Sequence, residues 1–463
     1  MTKRITRRSF LRSSAALAGA AVAARLTGAP AILAEGSPNS KLGMVLIGCG
    51  GRGTAAHLPE CARERLVAVV DADEARAASA LKFLKDNAGK FKLADLDPSK
   101  VKIFTDYRRM FDEIHKEIDA VVVATPDHQH ACPSMMAIKL GKGVYCEKPL
   151  THTIHEARAL AEAARRHKVA TQMGNQGHSS EEYRRLCEFI WAGAIGNVTE
   201  VHCCTNRPGW PQGISARPPG KPVPAGLHWD EWIGPAPFRD YHDGLHSFKW
   251  RGWWDFGCGA LGDMACHIMD GAFWALKLGY PTGVECLEAS DPVGETFPRS
   301  SVIRWDFPAR GEMPPVKVFW YDGGKKPKPP KDLEPGRKLD NNGYTFYIGD
   351  KGAMYTGCYG GGVRIVPETK YQEYVKEHGM PEKTIPRSGG YHKDFLDACK
   401  GGKPASSNFD YAGPLTETVL IGNLSLKAGA GKKLEWDAPN MKVTNLSELD
   451  QYVRYEYRKS WTL

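Results

Sequence analysis

The chain has 463 residues, of which 42% are hydrophobic and 25% charged, an ordinary composition for a soluble globular protein. This length exceeds what one hydrophobic core usually serves, so we expect two domains. The net charge of +9 comes largely from residues 1–34, which hold six basic and no acidic side chains, and the remainder is nearly balanced. That distribution excludes a basic nucleic-acid-binding surface.

Residues 1–34 have the pattern of an export signal. The twin-arginine motif "TRRSFLR" (6–12) precedes a weakly apolar stretch, "AALAGAAVAA", and small residues before a cleavage site after Ala34. The apolar stretch is too short for stable membrane insertion, and Arg25 interrupts it. The pattern predicts the twin-arginine export machinery as a partner and a bacterial protein exported folded to the periplasm or beyond. A disordered basic amino terminus is the alternative.

A glycine-rich loop, "GCGGRG", follows the first apolar strand of the next segment, residues 35–165. In such a loop the first glycine permits a tight turn, the second admits a pyrophosphate, and the third lets the next helix pack closely. We therefore expect a dinucleotide to bind the loop, with its phosphates at a helix amino terminus. A ligand-free glycine turn is the alternative. The predicted loop residues are Gly48, Cys49, Gly50, Gly51, Arg52 and Gly53.

The second predicted strand, "RLVAVVDAD", contains an acidic residue at the position that reads the cofactor ribose. The Asp71 carboxylate would accept hydrogen bonds from the ribose hydroxyls and repel a 2′-phosphate. The sequence therefore favours NAD over NADP as the cofactor, although Arg52 leaves some room for the phosphorylated form.

Strands and helices then alternate through "VKIF", "DAVVVATP" and "GVYCEKP", which predicts an α/β Rossmann domain with a parallel sheet. Ligands bind at the carboxyl ends of such strands. The cofactor-binding residues expected there are Thr125, Pro126, His128, His130, Glu147 and Lys148. Alternatively, His130 only helps to begin the helix that follows.

Residues 166–440 predict a second, α+β domain with a largely antiparallel open sheet, followed by a tail at 441–463. Asn175 and Gln176 end the last strand before this domain and are candidate substrate contacts, with cofactor contacts as the alternative. Half of the 12 tryptophans lie between Trp210 and Trp254, and we place Trp250 and Arg251 among the substrate contacts. Indoles stack on sugar rings but also fill cores, so a sugar-binding wall and simple packing both remain open.

Four motifs, "LIGCGGRG", "DAVVVATPDHQH", "GKGVYCEKPLTHTIHEA" and "GDMACH", occur in an order and spacing that resembles the Gfo/Idh/MocA oxidoreductase family. The resemblance covers residues 43 to about 435, and the amino-terminal signal resembles that of the exported branch of this family. It implies an NAD(P)-dependent oxidoreductase that acts on CH–OH groups of carbohydrates and assembles as a homodimer or homotetramer.

Alcohol oxidation needs a base for the hydroxyl proton and a cation near the oxygen. Asp263 and His267 share one helical face, and Lys148 ends a strand. By the resemblance, these three match the catalytic residues of the family, with His267 as the proton acceptor. A metal pair or a buried structural pair are the alternatives for Asp263 and His267, but no third ligand is defined and we expect no metal.

Free nicotinamide cofactor is not expected outside the cytoplasm, so an exported enzyme must retain its NAD. We expect an oxidoreductase that acts on a secondary hydroxyl of a sugar, glycoside or cyclitol. The family also includes NAD-dependent glycosidases, which work by transient oxidation, elimination, water addition and reduction, and this activity is the alternative. A carbohydrate-binding protein that has lost its chemistry is a third hypothesis.

Overall fold

The computed structural model describes residues 41–93 and 96–463, so the predicted export signal lies outside the described residues. Two sheets organise the chain. The first is six-stranded and parallel, in the order β3-β2-β1-β4-β5-β6. Its strands are β1 (Gly43–Ile47), β2 (Arg65–Val70), β3 (Lys102–Phe104), β4 (Ala120–Val123), β5 (Gly143–Cys146) and β6 (Thr171–Met173).

The second sheet has nine strands in the order β13-β12-β11-β7-β10-β9-β8-β14-β15. All neighbours are antiparallel except β7 and β10, which confirms the largely antiparallel prediction. Its strands are β7 (Val198–Thr205), β8 (Gly283–Ala289), β9 (Ser301–Phe307), β10 (Val316–Tyr321), β11 (Gly343–Gly349), β12 (Ala353–Gly357), β13 (Arg364–Val366), β14 (Lys433–Asp437) and β15 (Lys442–Val443).

The α-helices are distributed over both domains. They are α1 (Leu58–Arg63), α2 (Glu74–Asp86), α3 (Ala88–Phe91), α4 (Tyr107–Ile114), α5 (Ala131–Lys139), α6 (Ile154–His167), α7 (Glu181–Trp191), α8 (Trp229–Ile233), α9 (Gly259–Ile268), α10 (Asp270–Ala275), α11 (Glu368–His378), α12 (Tyr391–Cys399) and α13 (Phe409–Ala428). Among the described residues, none of these helices has both the length and the apolar character needed to span a bilayer.

Strand β1 shows why the first sheet forms. Its residues are apolar and buried on both faces, as parallel strands covered by helices must be. Val45 and Ile47 enter one core, whereas Met44 and Leu46 enter another on the opposite face. Because side chains alternate along a strand, one apolar pentapeptide serves both cores and fixes the strand in the middle of the sheet.

Helix α13 joins the two domains. On the second sheet, the Trp305 indole donates to the carbonyl oxygen of Thr418 at 2.9 Å. A side-chain carbon at Gly422 would lie 2.4 Å from the Trp305 ring, so glycine is required for this close approach. On the first domain, Arg158 of α6 pairs with Glu417 at 2.7 Å. The helix thereby fixes the position of the second sheet relative to the Rossmann domain.

Two segments depart from the linear domain order that the sequence suggests. Strand β6 completes the first sheet, so that sheet extends beyond the predicted boundary at residue 165. The carboxyl-terminal residues also return to the first domain, where Trp461 is buried beneath Arg108, whose guanidinium lies 3.9 Å from the indole centre. Contacts between segments that are far apart in the sequence produce no periodic pattern of residues, so local patterns do not predict them.

The 12 cysteines behave as small buried residues. All of them lie in the described part of the chain, none is in a disulfide, and all except Cys399 are buried. Among residues 41–93 and 96–463, no group of three His, Cys, Asp or Glu side chains is placed so that it could bind a metal ion.

Candidate active site

The glycine loop between β1 and α1 has the geometry that close packing demands. Gly48 has φ +96°, in the left-handed region, and a side chain there would lie 2.5 Å from the carbonyl carbon of Ala124. A side-chain carbon at Gly53 would lie 2.0 Å from the Gly48 carbonyl oxygen. At Gly50 it would lie 2.1 Å from the Arg76 guanidinium. Gly48 and Gly53 are therefore required by the backbone around them, whereas a side chain at Gly50 would meet only the flexible end of Arg76.

Asp71 ends β2 beside this loop. Its Oδ2 accepts a hydrogen bond from the Cys49 backbone amide at 2.7 Å, and its Oδ1 accepts from the Asp73 amide at 2.9 Å. Burial raises the pKa of this carboxyl, and the two amide bonds offset part of that effect. Asp71 thus holds the loop in shape. Arg76, which no motif picks out, lines the same cleft as Asp71, and its charge acts to lower the pKa of the Asp71 carboxyl.

A cleft of about 420 Å³ opens at the carboxyl ends of the parallel strands. Most of the predicted cofactor residues line it. These are Gly48, Gly50, Gly51, Arg52, Asp71, Thr125, Pro126, His130, Glu147 and Lys148. Cys49, Gly53 and His128 are buried behind this wall rather than in it.

Three observations indicate that the cleft fits a dinucleotide. Gly48 and Gly53 of the loop leave no room for side chains, a carboxylate follows β2, and the buried Thr125 Oγ1 has no hydrogen-bond partner among the described residues. A buried hydroxyl without a partner is costly, and a bound ligand would satisfy it.

The two histidines of "ATPDHQH" differ in their surroundings. His128 is fully buried, its Nδ1 and Nε2 face the carbonyl oxygens of Phe256 and Trp232, and burial lowers its pKa to about 3. His128 therefore anchors the second domain instead of contacting the cleft. His130 lines the cleft, and its ring bridges the carbonyl oxygens of Thr125 and Pro149. It holds the two strand-end loops together.

Glu147 is the centre of a buried network that sequence reasoning missed. Its Oε1 accepts hydrogen bonds from Arg52 Nε at 3.0 Å and His57 Nε2 at 2.8 Å, and His57 Nδ1 lies 2.8 Å from His392 Nε2. Burial alone would raise the pKa of Glu147, but these bonds and the charges of Arg52 and Lys148 hold it well below its ordinary value. The network keeps a fixed negative charge in the cleft wall. His57 and His392 are too far apart in the sequence to be paired by a motif.

Lys148 reaches across the domain junction to Asp263 on α9. Its Nζ donates to the Asp263 carbonyl oxygen at 2.7 Å and to Oδ1 at 2.9 Å. Arg251 Nε lies 3.4 Å from Oδ1, and Arg207 Nε lies 3.7 Å from Oδ2. Burial opposes ionisation of this carboxyl, but the charges of Lys148 and Arg251 and the hydrogen bond from Lys148 lower its pKa to about 2. Asp263 is therefore ionised under all physiological conditions.

His267 lies one turn after Asp263 and is 3% exposed. Burial, reinforced by the charge of Lys148, lowers its pKa to about 3, so the imidazole is neutral near pH 7. Nδ1 is buried, and neither ring nitrogen has a hydrogen-bond partner among the described residues. The ring meets Tyr359 edge-on, with centroids 4.9 Å apart. A neutral imidazole with free nitrogens is equipped to accept a proton.

The four predicted substrate residues occupy different environments. Trp250 and Arg251 line the cleft, and the Arg251 guanidinium lies 4.2 Å from the centre of the Trp250 ring. Asn175 instead points into a fully buried network, where its amide donates to Asp270. Gln176 is partly buried, its Oε1 has no partner among the described residues, and it is absent from the cleft wall.

Residues 226–251 form a strap that supplies one wall of the cleft. Three of its aromatic residues and four of its polar residues line the cavity, namely Trp232, Phe248, Trp250, Glu231, His246, Ser247 and Arg251. Ser247 and Phe248 have φ of +60° and +78°, conformations that cost energy for residues with side chains. The strap therefore stores strain where it meets the cleft.

The strap is tied to the first domain next to Asp71. Leu227 forms a β-bridge with Asp73, and His228 Nε2 lies 2.8 Å from Glu74 Oε1. Further along the strap, His246 Nε2 lies 3.0 Å from Asp73 Oδ2. These ties hold a segment of the second domain over the part of the cleft where Asp71 lies.

Two family models match the chain. Residues 42–175 match the oxidoreductase-family NAD-binding Rossmann fold, and residues 210–286 match the carboxyl-terminal α/β domain of the same family. The chain is 36% identical over 108 residues to inositol 2-dehydrogenase from Rhodococcus erythropolis, a segment that covers 23% of this chain and 31% of that protein. The matched segments span less than half the length of each of the first relatives.

Solved structures share the fold over most of the chain. The WlbA dehydrogenase from Bordetella pertussis, in complex with NADH and UDP-GlcNAcA, has a TM-score of 0.55 at 14% identity and covers 86% of this chain and 99% of that chain. The aldose-aldose oxidoreductase from Caulobacter crescentus, complexed with glycerol, has a TM-score of 0.53 at 16% identity and covers 85% and 99%. Two segments of the chain are thus similar to the NAD-binding Rossmann domain and the carboxyl-terminal α/β domain of the Gfo/Idh/MocA oxidoreductase family.

Proposed function

We propose that the protein is an NAD-dependent oxidoreductase that transfers hydride between a retained NAD and a secondary hydroxyl of a sugar, glycoside or cyclitol. The observation that carries this proposal is the bonding of Lys148, in the wall of an NAD-type cleft, to Asp263, one turn from a neutral buried His267. The names of relatives that act on inositol and aldoses support the substrate class.

The side chains divide the chemistry between them. NAD, when bound, accepts hydride from the substrate carbon. His267 is unprotonated at neutral pH and accepts the hydroxyl proton at Nε2, the less enclosed ring nitrogen. Lys148 uses two ammonium protons on Asp263 and has a third for the substrate oxygen, where it stabilises developing negative charge. Asp263 fixes the direction in which the ammonium points.

The strap supports a cofactor that stays bound through turnover. A segment tied at Asp73 and Glu74 must open before the part of a dinucleotide beside Asp71 can leave. A retained cofactor must then be re-oxidised in place, either by a second sugar or by return of the hydride to the first. The second route gives the alternative function, an NAD-dependent glycosidase that uses the same residues.

One experiment separates these outcomes. Protein purified without added cofactor is denatured to measure released NAD, and intact protein is incubated with a panel of methyl glycosides and myo-inositol. Oxidation appears by mass spectrometry as loss of two hydrogens, and glycoside cleavage as gain of water. NAD-loaded protein that changes no member of the panel, and whose bound NAD none of them reduces, would count against both activities.

Export and assembly belong to the same proposal. The twin-arginine signal in residues 1–34 supports folded export to the periplasm or the exterior, and the resemblance to the family supports a homodimer or homotetramer. Fractionation of the native host and light scattering of the purified protein test the two statements. Cytoplasmic retention or a monomer at micromolar concentration would contradict them.

A further inference from the structure

A second cavity, of about 330 Å³, shares no lining residue with the cofactor cleft. One face of α13 forms one wall, through Leu420, Asn423, Leu424 and Lys427. The start of α6, residues 254–258 and the carboxyl-terminal segment that includes Tyr455 form the others. The cavity is therefore built from both domains and the returning tail.

The cavity contains a cation without an acidic partner. Lys427 Nζ lies 3.8 Å from the centre of the Trp254 ring and forms neither an ion pair nor a hydrogen bond with any described residue. The one carboxylate in the wall, Asp255, is already paired with Arg239 at 2.9 Å and lies 3.7 Å from Arg217. Burial lowers the pKa of Lys427 to about 8, so the ammonium form still predominates at neutral pH. The uncompensated charge in this wall is positive.

Four uncharged polar groups in the same wall also lack partners among the described residues. Trp254 Nε1 is a donor, and the Tyr455 hydroxyl can donate or accept. Asn423 uses its amide nitrogen on the Cys258 carbonyl oxygen, so its Oδ1 is left as an acceptor. His152 Nε2 lies 3.3 Å from the Gly257 carbonyl oxygen, which leaves Nδ1 as a second acceptor.

The unpaired ammonium, the free donors and the free acceptors together limit which kinds of ligand can satisfy the cavity wall. A simple inorganic anion would use the ammonium and the donors but leave both acceptors unsatisfied, and a fatty carboxylate would do the same. A neutral sugar would satisfy donors and acceptors but leave the charge of Lys427 uncompensated. Water can satisfy the four polar atoms and likewise cannot neutralise the ammonium. A hydroxylated carboxylate meets all these requirements.

We propose that this cavity binds a hydroxylated carboxylate of sugar-acid size, with Lys427 as the counter-ion of its carboxylate. The hydroxyl groups meet Asn423, His152 and Tyr455, and the carbon chain lies against Leu420 and Leu424. The site is separate from the reaction site and independent of hydride transfer.

Calorimetric titration of the full-length, NAD-loaded protein tests this proposal with three probes. Sodium D-gluconate has both features, D-glucose lacks the carboxylate, and sodium acetate lacks the hydroxyls. We expect gluconate to bind at least about tenfold more tightly than either of the others. Equal affinity for gluconate and glucose, or no gluconate binding at millimolar concentration, would overturn the proposal. This comparison needs no variant.

Three variants locate the site. Lys427→Met should weaken gluconate binding about tenfold or more, and Lys427→Arg, which keeps the charge, should restore most of it. Lys432→Met is the matched control because Lys432 is an exposed lysine just after the same helix. Gluconate binding that survives Lys427→Met, as binding in the cofactor cleft would, contradicts the proposal. Turnover is not measured, so failure of the proposed oxidoreductase activity would leave this result interpretable.

Discussion

Lys148 Nζ donates to both the backbone carbonyl oxygen and the carboxylate of Asp263, at 2.7 and 2.9 Å. Lys148 follows β5 of the first domain, whereas Asp263 belongs to α9 of the second. The pair therefore spans the domain junction and restrains the Lys148 ammonium group at the wall of the cleft. This bond is the feature on which the proposed chemistry depends most.

Replacement of Lys148 by Met should lower kcat by ~10² or more while the protein still retains NAD, because the cation acts on the reacting oxygen. The Asp263 carboxyl should lose its strongest partner, and its pKa should rise. Steady-state kinetics measure the loss in kcat, and the NAD content of denatured protein measures cofactor retention. Lys116→Met is the control, since Lys116 is exposed on the first domain, and it should behave as wild type.

The pH dependence of kcat/KM should distinguish His267 from an ordinary histidine. Its pKa in the folded protein is lowered to about 3, so the base remains neutral as the pH falls through 6.5. We expect no acid limb near pH 6.5 that belongs to this group, and a turnover loss of ~10² or more in His267→Gln. A limb near pH 6.5 that disappears in His267→Gln would show that the ring is accessible and ordinarily basic.

The same burial predicts how stability responds to acid. His267 binds a proton at about pH 6.5 when unfolded but only near pH 3 when folded, so the unfolded state takes up more protons between these values. Stability is therefore complete above pH 6.5 and falls as the pH is lowered toward 3, by about 1.4 kcal/mol per pH unit for one proton. Urea unfolding at several pH values gives the unfolding free energy as a function of pH, and the slope of that plot should correspond to about one proton fewer in His267→Gln. An unchanged slope would mean that the ring titrates normally in the folded state.

The strap makes a prediction about cofactor retention. The double variant His228→Ala, His246→Ala removes the ties to Glu74 and Asp73, and NAD should dissociate faster. Release can be followed by chasing bound NAD with labelled NAD. His378→Ala, a change at an exposed histidine of α11, is the control and should leave the release rate unchanged. Equal release rates in the double variant and the control would mean that the strap does not hold the cofactor.

Asp71 should govern the choice between NAD and NADP. Asp71→Ala removes the carboxylate that repels a 2′-phosphate and leaves Arg76 nearby, so the preference for NAD should fall by about tenfold. The dissociation constants of NAD and NADP measure this preference. Asp86→Ala, a change at the exposed end of α2, is the control. If the ratio of the two constants does not change, the ribose is recognised by another residue.

The sequence predicts those parts of the site that lie within one motif. Gly48 and Gly53, the strand that ends at Asp71, and the helix that carries Asp263 and His267 all follow from local spacing. The parallel sheet follows from the apolar strands, since strands buried on both faces need no alternation.

Other parts depend on contacts between distant segments, which local patterns do not encode. Arg207 reaches Asp263 from the segment after β7, and the His57–His392 contact joins residues more than 300 positions apart. His128 and Asn175 looked like ligand contacts because they end strands, but tertiary packing turns both into buried structural bonds. The strap ties are of the same kind.

Single-turnover reduction of the bound NAD tests the proposed roles of Lys148 and His267 in hydride transfer. Wild-type protein, Lys148→Met and His267→Gln, matched for NAD content, are mixed with the methyl glycosides and myo-inositol while the absorbance of reduced nicotinamide is followed. We expect a rapid rise toward one equivalent in the wild type with at least one substrate, and rates lower by ~10² or more in both variants. Reduction at the wild-type rate in both variants would contradict these roles.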